Sequence, residues 1–373
     1  MKEGILDYRQ RQNGRQTMQA SRLHGIGDMR MEDLPRPEPG PGEVLLKVAA
    51  VGVCGSDVHY YAHGAIADQV VTEPIIMGHE ASAWVAELGP EVEADLEIGQ
   101  LVAIEPAIPC EECEPCRHGD PNLCPNVRFC GTPPIDGVFA EYTVMPASNC
   151  FPLPPTFTPA EGAMLEPLGI AIHAIDLADL RPGYTAAVLG GGPIGLLIAA
   201  VARAAGAGEI YMTEPLAYRR RFALDYVADI ALDPHPDADA GYSDVVDEIV
   251  RLTGGRGVDV AFEAAGVEET PDQCAGVARR GGKAIVAGIP ADDRMLFTAS
   301  TCRHRGLTIK LVRRMKHTYP RAIRLVRNGR VDVHSIVSHR FPLERIVDAF
   351  ETVAAYGDGV IRAVIEIAKE ARS

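Results

Sequence analysis

The fold of this chain is decided by the segment Ala186-Ala187-Val188-Leu189-Gly190-Gly191-Gly192-Pro193-Ile194-Gly195. An apolar run breaks into glycines and then resumes at Leu196, which predicts a buried strand, a tight turn and a helix. Gly190 would make the turn, Gly192 would let the backbone approach a pyrophosphate, and Gly195 would let the helix pack closely on the strand. The amides at the helix start would hold the anion, so the segment predicts a dinucleotide site.

An acidic residue at the end of the next strand supports this interpretation. Glu209–Thr213 is an apolar run that predicts a second strand, and Glu214 follows it. Glu214 lies about 20 positions past the glycines, where a carboxylate accepts a hydrogen bond from a ribose 2′-OH. This pattern favours NAD over NADP. The alternative is a glycine turn in an α/β sheet that binds no ligand.

Composition limits the class of protein. A chain of 373 residues with 47% hydrophobic residues suits an enzyme of two domains. The net charge of −15 argues against nucleic acid or an anionic membrane as a partner, because both favour basic surfaces. No apolar run is long enough to span a membrane and no signal-peptide core opens the sequence, so we expect a cytoplasmic protein.

The chain changes character near residue 159. Before it, short strands bounded by glycine or proline predict a small β-rich barrel or sandwich. These predicted strands are Glu43–Val51, Ser82–Leu88, Gln100–Ile104 and Val138–Met145. From Thr185 onward strands alternate with helices, which predicts a parallel, doubly wound sheet of the α/β class. Its further predicted strands are Asp259–Glu263, Lys283–Ala287 and Thr308–Val312.

The two ends of the chain follow neither pattern. Residues 1–17 are polar and aperiodic, which predicts a disordered extension. Phe341–Ala355 predicts a helix and Val360–Ile367 an apolar strand. Because a strand at the end of a chain needs a sheet to pair with, we expect this tail to return to the first domain.

Four cysteines fall within one loop rich in proline and glutamate, where no apolar core could use them. They are Cys110, Cys113, Cys116 and Cys124. Four thiolates satisfy the tetrahedral coordination of a structural zinc ion. In a cytosolic chain cysteines are ligands or buried thiols more often than disulfides. The alternative is a set of free or paired cysteines on an exposed lobe.

A second set of metal donors is dispersed along the chain. It consists of Cys54, His79, Glu80 and Glu166, each of which alone would more often be a packing residue than a ligand. Together they offer the thiolate, imidazole and carboxylates of a catalytic zinc site. Adjacent residues cannot both project from one face of a regular strand, so Gly78 should mark a bend that lets His79 and Glu80 converge.

The motifs Cys54-Gly-Ser-Asp-Val-His-Tyr-Tyr, Gly78-His-Glu-Ala-Ser, Glu166-Pro-Leu and Gly190-Gly-Gly-Pro-Ile-Gly resemble the zinc-dependent medium-chain dehydrogenases, specifically their sorbitol and xylitol dehydrogenase branch. The resemblance runs from about Met18 to the C-terminus. It implies a GroES-like catalytic domain over residues 18–167 and 314–373, with a structural-zinc lobe at 105–130. It also implies a Rossmann NAD-binding domain over 168–313.

The resemblance further implies a polyol substrate, NAD, a homotetramer, and one catalytic and one structural zinc ion per chain. Cys54, His79 and Glu80 would hold the catalytic zinc, and Glu166 would hold a water molecule there. Simple alcohol dehydrogenases usually have cysteine at the position of Glu166, so glutamate favours polyols. The predicted cofactor contacts are Gly190, Gly192, Pro193, Ile194, Gly195, Glu214, Arg219, Ala264, Ala287, Gly288 and Ile289.

Four further residues match positions that act on the substrate in the resembled family. Ser56 and His59 would relay the released proton, since histidine titrates in the useful range. Tyr60 and Arg314 would contact the substrate. The alternatives are structural: a serine in a turn, a satisfied polar histidine, aromatic packing, and a basic surface or subunit contact.

The sequence departs from the family pattern at three places. Glu214 replaces a commoner aspartate, Gly99-Gln100-Leu101-Val102 replaces Gly-Asp-Arg-Val, and Met315 stands where animal sorbitol dehydrogenases have a tyrosine. The last difference leaves other secondary alcohols open, such as threonine, butanediol, a sugar acid or a sugar phosphate. A non-catalytic nucleotide-binding protein is a further alternative. The four-cysteine lobe makes the chain look like a microbial enzyme.

Overall fold

A computed structural model describes residues 17–236, 240–290, 292–368 and 370. Most of the predicted N-terminal extension, residues 1–16, lies outside the described residues. Thr17, which the prediction assigned to that extension, begins the first strand. No helix within the described ranges is long and apolar enough to cross a membrane.

The first part of the chain is rich in short strands, as predicted. Its strands are β1 (Thr17–Gly25), β2 (Asp28–Pro35), β3 (Glu43–Gly52), β4 (Ala65–Ile66), β5 (Gln69–Val70), β6 (Ile75–Ile76), β7 (Glu80–Leu88), β8 (Leu101–Ile104), β9 (Ala107–Ile108), β10 (Arg128–Phe129), β11 (Tyr142–Pro146) and β12 (Cys150–Pro152). Its helices are α1 (Gly55–His63), α2 (Glu114–Arg117), α3 (Pro159–Ala163) and α4 (Leu165–Ala178).

The second part forms a six-stranded parallel sheet in the order β15-β14-β13-β16-β17-β18. These strands are β13 (Ala186–Leu189), β14 (Ile210–Thr213), β15 (Ile230–Leu232), β16 (Val258–Glu263), β17 (Ala278–Val286) and β18 (Thr308–Leu311). The connecting helices are α5 (Pro193–Ala204), α6 (Ala217–Tyr226), α7 (Val245–Leu252), α8 (Thr270–Val277) and α9 (Ala299–Arg305). The strand order reverses between β13 and β16, and such switch points bind ligands in open α/β sheets. The predicted Rossmann arrangement is therefore confirmed.

The tail returns to the first domain, as the sequence predicts. It comprises α10 (Tyr319–Arg327), β19 (Val337–Pro342), α11 (Ile346–Ala354) and β20 (Arg362–Glu366). Strand β20 pairs with β3, which extends the main sheet of the first domain in the order β12-β8-β7-β3-β20-β19, while β11 also pairs with β3. The domain boundary at 167/168 stays a prediction, since α4 runs across it.

Several predicted elements differ from the structure. The helix predicted at Phe341–Ala355 begins at Ile346, because Phe341 and Pro342 end β19. The strand predicted at Val138–Met145 is confined to β11, because the amides of Val138 and Phe139 donate to the Met77 carbonyl instead. The hairpin of β1 and β2 and the helix α1 were not predicted at all.

Candidate active site

Asp57 ties together the two segments that carry the dispersed metal donors. Helix α1 starts directly after Cys54, and the Cys54 amide donates to Asp57 Oδ2 at 3.1 Å. The other carboxylate oxygen accepts from the Gly78 amide at 3.2 Å and lies 3.5 Å from His79 Nδ1. A carboxylate behind a ligating imidazole fixes the tautomer and the orientation of the ring. Asp57 is therefore a positioning residue that the sequence interpretation did not single out.

Gly78 makes the predicted bend. Its φ of +91° is left-handed, and a Cβ there would lie 2.8 Å from the Phe139 ring, so a side chain would fit neither the backbone nor the space. His79 follows in the loop and Glu80 opens β7. The bend allows these two adjacent side chains to converge instead of alternating across the sheet.

Cys54, His79 and Glu80 form one of two donor clusters among the described residues. Their sulfur, nitrogen and oxygen atoms all lie within 4.8 Å of one another, and the imidazole and carboxylate are buried. A buried thiol, imidazole and carboxylate directed at one point are the donor set of a zinc ion with an open fourth position. The residues therefore fit a catalytic zinc.

Glu166 is not part of that close cluster, although its pKa responds to two of the donors. Burial raises the pKa of Glu166 to about 8, while His79 acts in the opposite direction and Cys54 reinforces the rise. Burial also opposes ionisation of the Cys54 thiol, but His79 and Arg362 outweigh it and lower that pKa to about 7. Glu166 thus lies outside the cluster of three donors, and its role at the metal stays a prediction.

The charge of Arg314 interacts with that of Glu166. Its guanidinium lies over the Phe129 ring, 4.6 Å from the ring centroid, and the Nη1 atom is buried without a hydrogen-bond partner. Burial and the neighbouring Arg313 lower the pKa of Arg314 to about 10, while Glu105 and Glu166 act in the opposite direction. Burial likewise raises the pKa of Glu105 to about 7. A half-buried cation beside two carboxyl groups can orient an oxygen-rich ligand.

The three remaining predicted catalytic residues lie on α1. Ser56 and His59 are half-buried, and the rings of His59 and His63 lie 4.5 Å apart. Both histidines line a cleft of about 570 Å³ that is also lined by Asp292 and Asp293. Burial and His63 lower the pKa of His59, which keeps the imidazole neutral and able to accept a proton.

Tyr60 is placed differently from these two neighbours. It is buried, and its hydroxyl donates to Gln69 Oε1 at 3.1 Å. Burial raises its pKa. The phenol is thus held in a protein hydrogen bond and has a lone pair left for a substrate hydroxyl.

The four cysteines of the lobe form the second donor cluster. The sulfurs of Cys110, Cys113, Cys116 and Cys124 lie within 4.8 Å of one another, and none is in a disulfide. Backbone amides of Glu112 and Cys113 lower the pKa of Cys110 to about 6. Four convergent thiols fit a structural zinc ion.

The glycine turn has the geometry that dinucleotide binding requires. Gly190 has a φ of +109°, and a Cβ there would lie 2.8 Å from the backbone of Ala264. A Cβ at Gly195 would lie 1.9 Å from the Gly190 carbonyl oxygen. Gly192 is the N-cap of α5 and Pro193 has no amide hydrogen, so the amides of Ile194 and Gly195 are free to bind a phosphate.

Glu214 fixes the turn as well as facing the cofactor site. Its Oε2 accepts from the Gly191 amide at 3.0 Å, and its Oε1 accepts from the Leu216 amide at 2.9 Å. The carboxylate is buried at the end of β14. In such a position it can bind a ribose hydroxyl and disfavours a 2′-phosphate.

Arg219 lies beside the glycine turn. Its Nη2 donates to the Val360 carbonyl at 3.2 Å, and the guanidinium lies 5.0 Å from the Tyr356 ring centroid. A Cβ on Gly192 would lie 3.8 Å from Arg219 Nη1. Arg219 thus connects the tail of the chain to the glycine turn, and its contact with the cofactor stays a prediction.

The other predicted cofactor contacts are arranged around Glu263. Its Oε1 accepts from the Ala265 and Gly266 amides at 2.8 and 2.7 Å, and its Oε2 accepts from Gly288 at 3.1 Å. This fully buried carboxylate joins the loops that carry Ala264 and the segment Ala287–Ile289. Ile289 is 67% exposed, which suits contact with a ligand in the cleft.

Sequence reasoning missed Asp57, Glu263 and Arg362 as positioning residues. A charged residue inside an otherwise apolar strand, such as Arg362 in β20, indicates a buried partner of opposite charge. This signal can be found in the sequence alone. The Arg362 guanidinium pairs with Glu80 Oε2. Phe129, whose ring lies against the Arg314 guanidinium, carries no comparable signal.

Comparison with known proteins agrees with this description. Residues 40–155 match the alcohol dehydrogenase GroES-like domain, and residues 193–328 match the zinc-binding dehydrogenase family. Sorbitol dehydrogenase of Bacillus subtilis (strain 168) is 35% identical over 354 residues, covering 94% of this chain and 97% of that protein. Sorbitol dehydrogenase of Bos taurus is 40% identical over 332 residues, covering 88% and 91%.

A solved structure shows the same fold. It is a putative zinc-binding dehydrogenase from Sinorhizobium meliloti 1021 bound to NADP, with a TM-score of 0.83 and 33% identity, covering 94% of this chain and 99% of that one. The two domains and the donor cluster at the first of them define a zinc-dependent oxidoreductase that uses a nicotinamide cofactor. The chain belongs to the medium-chain dehydrogenase family, in the branch that contains the sorbitol dehydrogenases.

Proposed function

We propose that the protein oxidises a secondary hydroxyl of a polyol, of the sorbitol or xylitol type, to a ketone, with NAD as the hydride acceptor. The observation that supports this most is the convergence of Cys54, His79 and Glu80, with Glu166 close enough for its charge to interact with His79 and Cys54, and Arg314 close enough to interact with Glu166. A carboxyl group and a guanidinium beside the donors suit a substrate with several hydroxyls better than a simple alcohol.

The site residues have different roles in the reaction: metal binding, proton transfer and orientation of the substrate. Cys54, His79 and Glu80 would hold the zinc ion, which would supply Lewis acidity, and a bound nicotinamide would supply the hydride acceptor. Ser56 accepts the hydroxyl proton, and His59 passes it to the solvent-facing cleft. Arg314 and Tyr60 orient the remaining hydroxyls. The substrate thus loses one hydride and one proton.

Glu214 supports NAD as the cofactor, because its buried carboxylate would repel a 2′-phosphate. We also propose one catalytic and one structural zinc ion per chain, a cytoplasmic location and a homotetramer. The charge of −15 supports a small-molecule substrate over nucleic acid.

The test is a screen of polyols, diols and hydroxy-amino acids with NAD and with NADP, followed by NADH absorbance. The highest kcat/KM should be found for a polyol with NAD. Highest activity on threonine or butanediol would show that the substrate is another secondary alcohol and not a polyol. If the zinc-loaded protein turned over none of the substrates, a nucleotide-binding protein without catalytic activity would be favoured.

A second substrate class, sugar acids or sugar phosphates, is favoured by the unpartnered Nη1 of Arg314. The carboxyl groups of Glu105 and Glu166 act against it, since they already offset the charge of Arg314. We therefore propose neutral polyols as the substrate class in preference to sugar acids and sugar phosphates. The same screen separates the two classes when it includes an aldonate beside its parent polyol.

A further inference from the structure

The segment that carries Arg314 has an unusual backbone. It joins β18 to α10, and both Arg314 and His317 are left-handed, with φ of +53° and +50°. Residues with a Cβ keep this conformation only where surrounding contacts determine it. The contacts that hold residues 313–317 are therefore part of what places the guanidinium in the pocket.

Two of those contacts come from the four-cysteine lobe, while Met315 packs in the hydrophobic core. The Asn122 side chain is 7% exposed, and its Nδ2 donates to the Arg313 carbonyl at 3.0 Å, directly before Arg314. Lys316 on the far side of Arg314 pairs with Asp120. Asn122 and Asp120 both precede Cys124, within the loop that the four thiols close.

The same lobe supports the side chain of Arg314. Phe129 belongs to β10, which pairs with β9 at the base of the lobe. One neighbour of its ring is the Arg314 guanidinium at 4.6 Å, and another is the His79 ring, 5.4 Å away between centroids. The Phe129 ring thus lies against both the Arg314 guanidinium and the ring of His79, which is a donor of the candidate zinc site.

We propose that the four-cysteine lobe positions Arg314 for the substrate, with Asn122 as the positioning residue that fixes its backbone. This inference rests on the proposed function for the role of Arg314 in the pocket. The lobe would then contribute to substrate recognition as well as to the stability of the protein. Asn122 itself does not touch the reacting atoms.

The first test measures the backbone of residues 313–317 directly. Asn122→Asp keeps the shape of the side chain but replaces the donating amide with an acceptor that faces a carbonyl. Because Arg313 is exposed, trypsin should cleave after it several-fold faster in this variant than in the wild type, with zinc content unchanged. The matched control is Asn126→Asp, which adds the same charge to an exposed position of the same lobe; because Asn126 Nδ2 lies 3.9 Å from Cys110 Sγ, zinc content is measured in this variant too and the comparison is made between zinc-loaded proteins.

The second test is a double-mutant cycle in the zinc-loaded enzyme. Asn122→Asp should lower kcat/KM for the best polyol by about 10- to 100-fold, mainly through KM, because small displacements of an orienting group have effects of this size. In the Arg314→Ala background the same substitution should lower kcat/KM by less than about twofold, because the side chain that Asn122 positions is no longer present. The KM for NAD should not change.

The outcomes separate the two proposals. An equal loss from Asn122→Asp in both backgrounds, or the same cleavage rate as Asn126→Asp, would overturn the positioning role of the lobe. Faster cleavage of Asn122→Asp would support the role of Asn122 in fixing the backbone of residues 313–317. If the Arg314→Ala variant nevertheless kept the wild-type kcat/KM, the proposed contact of Arg314 with the substrate would be contradicted.

Discussion

Glu80 and Arg362 form a buried ion pair that reaches across Gly52. Gly52 on β3 is paired with Glu80 on β7 at one side and with Val364 on β20 at the other. A Cβ on Gly52 would lie 2.3 Å from Glu80 Oε2 and 3.2 Å from Arg362 Nη2. The tail strand therefore supplies the counter-charge of a candidate zinc ligand, which makes the C-terminal segment part of the site.

Removing this counter-charge should be costly. Arg362→Met leaves the Glu80 carboxylate without its cation in a buried position, and breaking a buried pair in this way costs about 3–5 kcal/mol. Urea unfolding of the zinc-loaded protein measures the change. The control is Arg340→Met on the neighbouring strand, where the pair with Glu366 is about one-third exposed, so its loss should cost about 1 kcal/mol or less. Equal losses from the two variants would contradict the special role of Arg362.

Two zinc ions per chain are expected from the two donor clusters. Cys113→Ser should remove one ion and lower stability, because structural zinc contributes directly to folding. Cys54→Ser should remove the other ion and abolish turnover while the fold persists. Metal analysis of the purified variants and thermal unfolding measure both effects. Cys302→Ser, outside both clusters, serves as the control and should retain both ions. A wild-type content near one ion per chain would contradict one of the two sites.

The glycine turn, the alternation of strands and helices and the four-cysteine cluster could be predicted because each depends on local spacing, whereas Cys54, His79 and Glu80 were grouped by their donor chemistry and by the family resemblance. The residues that position the site could not, because each acts through contacts between distant segments. Asp57 connects the start of α1 to the loop before β7, and Asn122 reaches a carbonyl near the end of the second domain. A pattern along the chain carries no signal for such pairs. The tail helix was misplaced because apolar residues continue from β19 into α11, so periodicity alone did not mark the break after Pro342.

Glu214→Gln should reduce the preference for NAD. The amide oxygen can still accept one backbone hydrogen bond, so the glycine turn should persist while the charge that repels a 2′-phosphate is lost. We expect the ratio of kcat/KM for NAD to that for NADP to fall by about tenfold, the equivalent of about 1.4 kcal/mol. Steady-state kinetics with both cofactors measure it. The control Glu209→Gln changes a carboxylate before the same strand, one that accepts from the Tyr211 hydroxyl, and should leave the ratio unchanged. A wild type that prefers NADP would refute the role assigned to Glu214.

Arg314→Ala tests the substrate assignment most directly. The guanidinium lies over Phe129 and its Nη1 atom is buried without a partner, so its removal should eliminate a charged hydrogen bond to the substrate and lower kcat/KM by about 10- to 100-fold. Arg314→Lys should restore little, because an ammonium lacks the planar fork and the contact with the ring face. Arg313→Ala is the matched control, since that side chain is exposed and only its carbonyl takes part in the contact with Asn122. Each variant is assayed on a neutral polyol and on the corresponding aldonate. A similar loss on both substrates supports an arginine that orients hydroxyls, whereas a loss confined to the aldonate would assign the pocket to an anionic sugar.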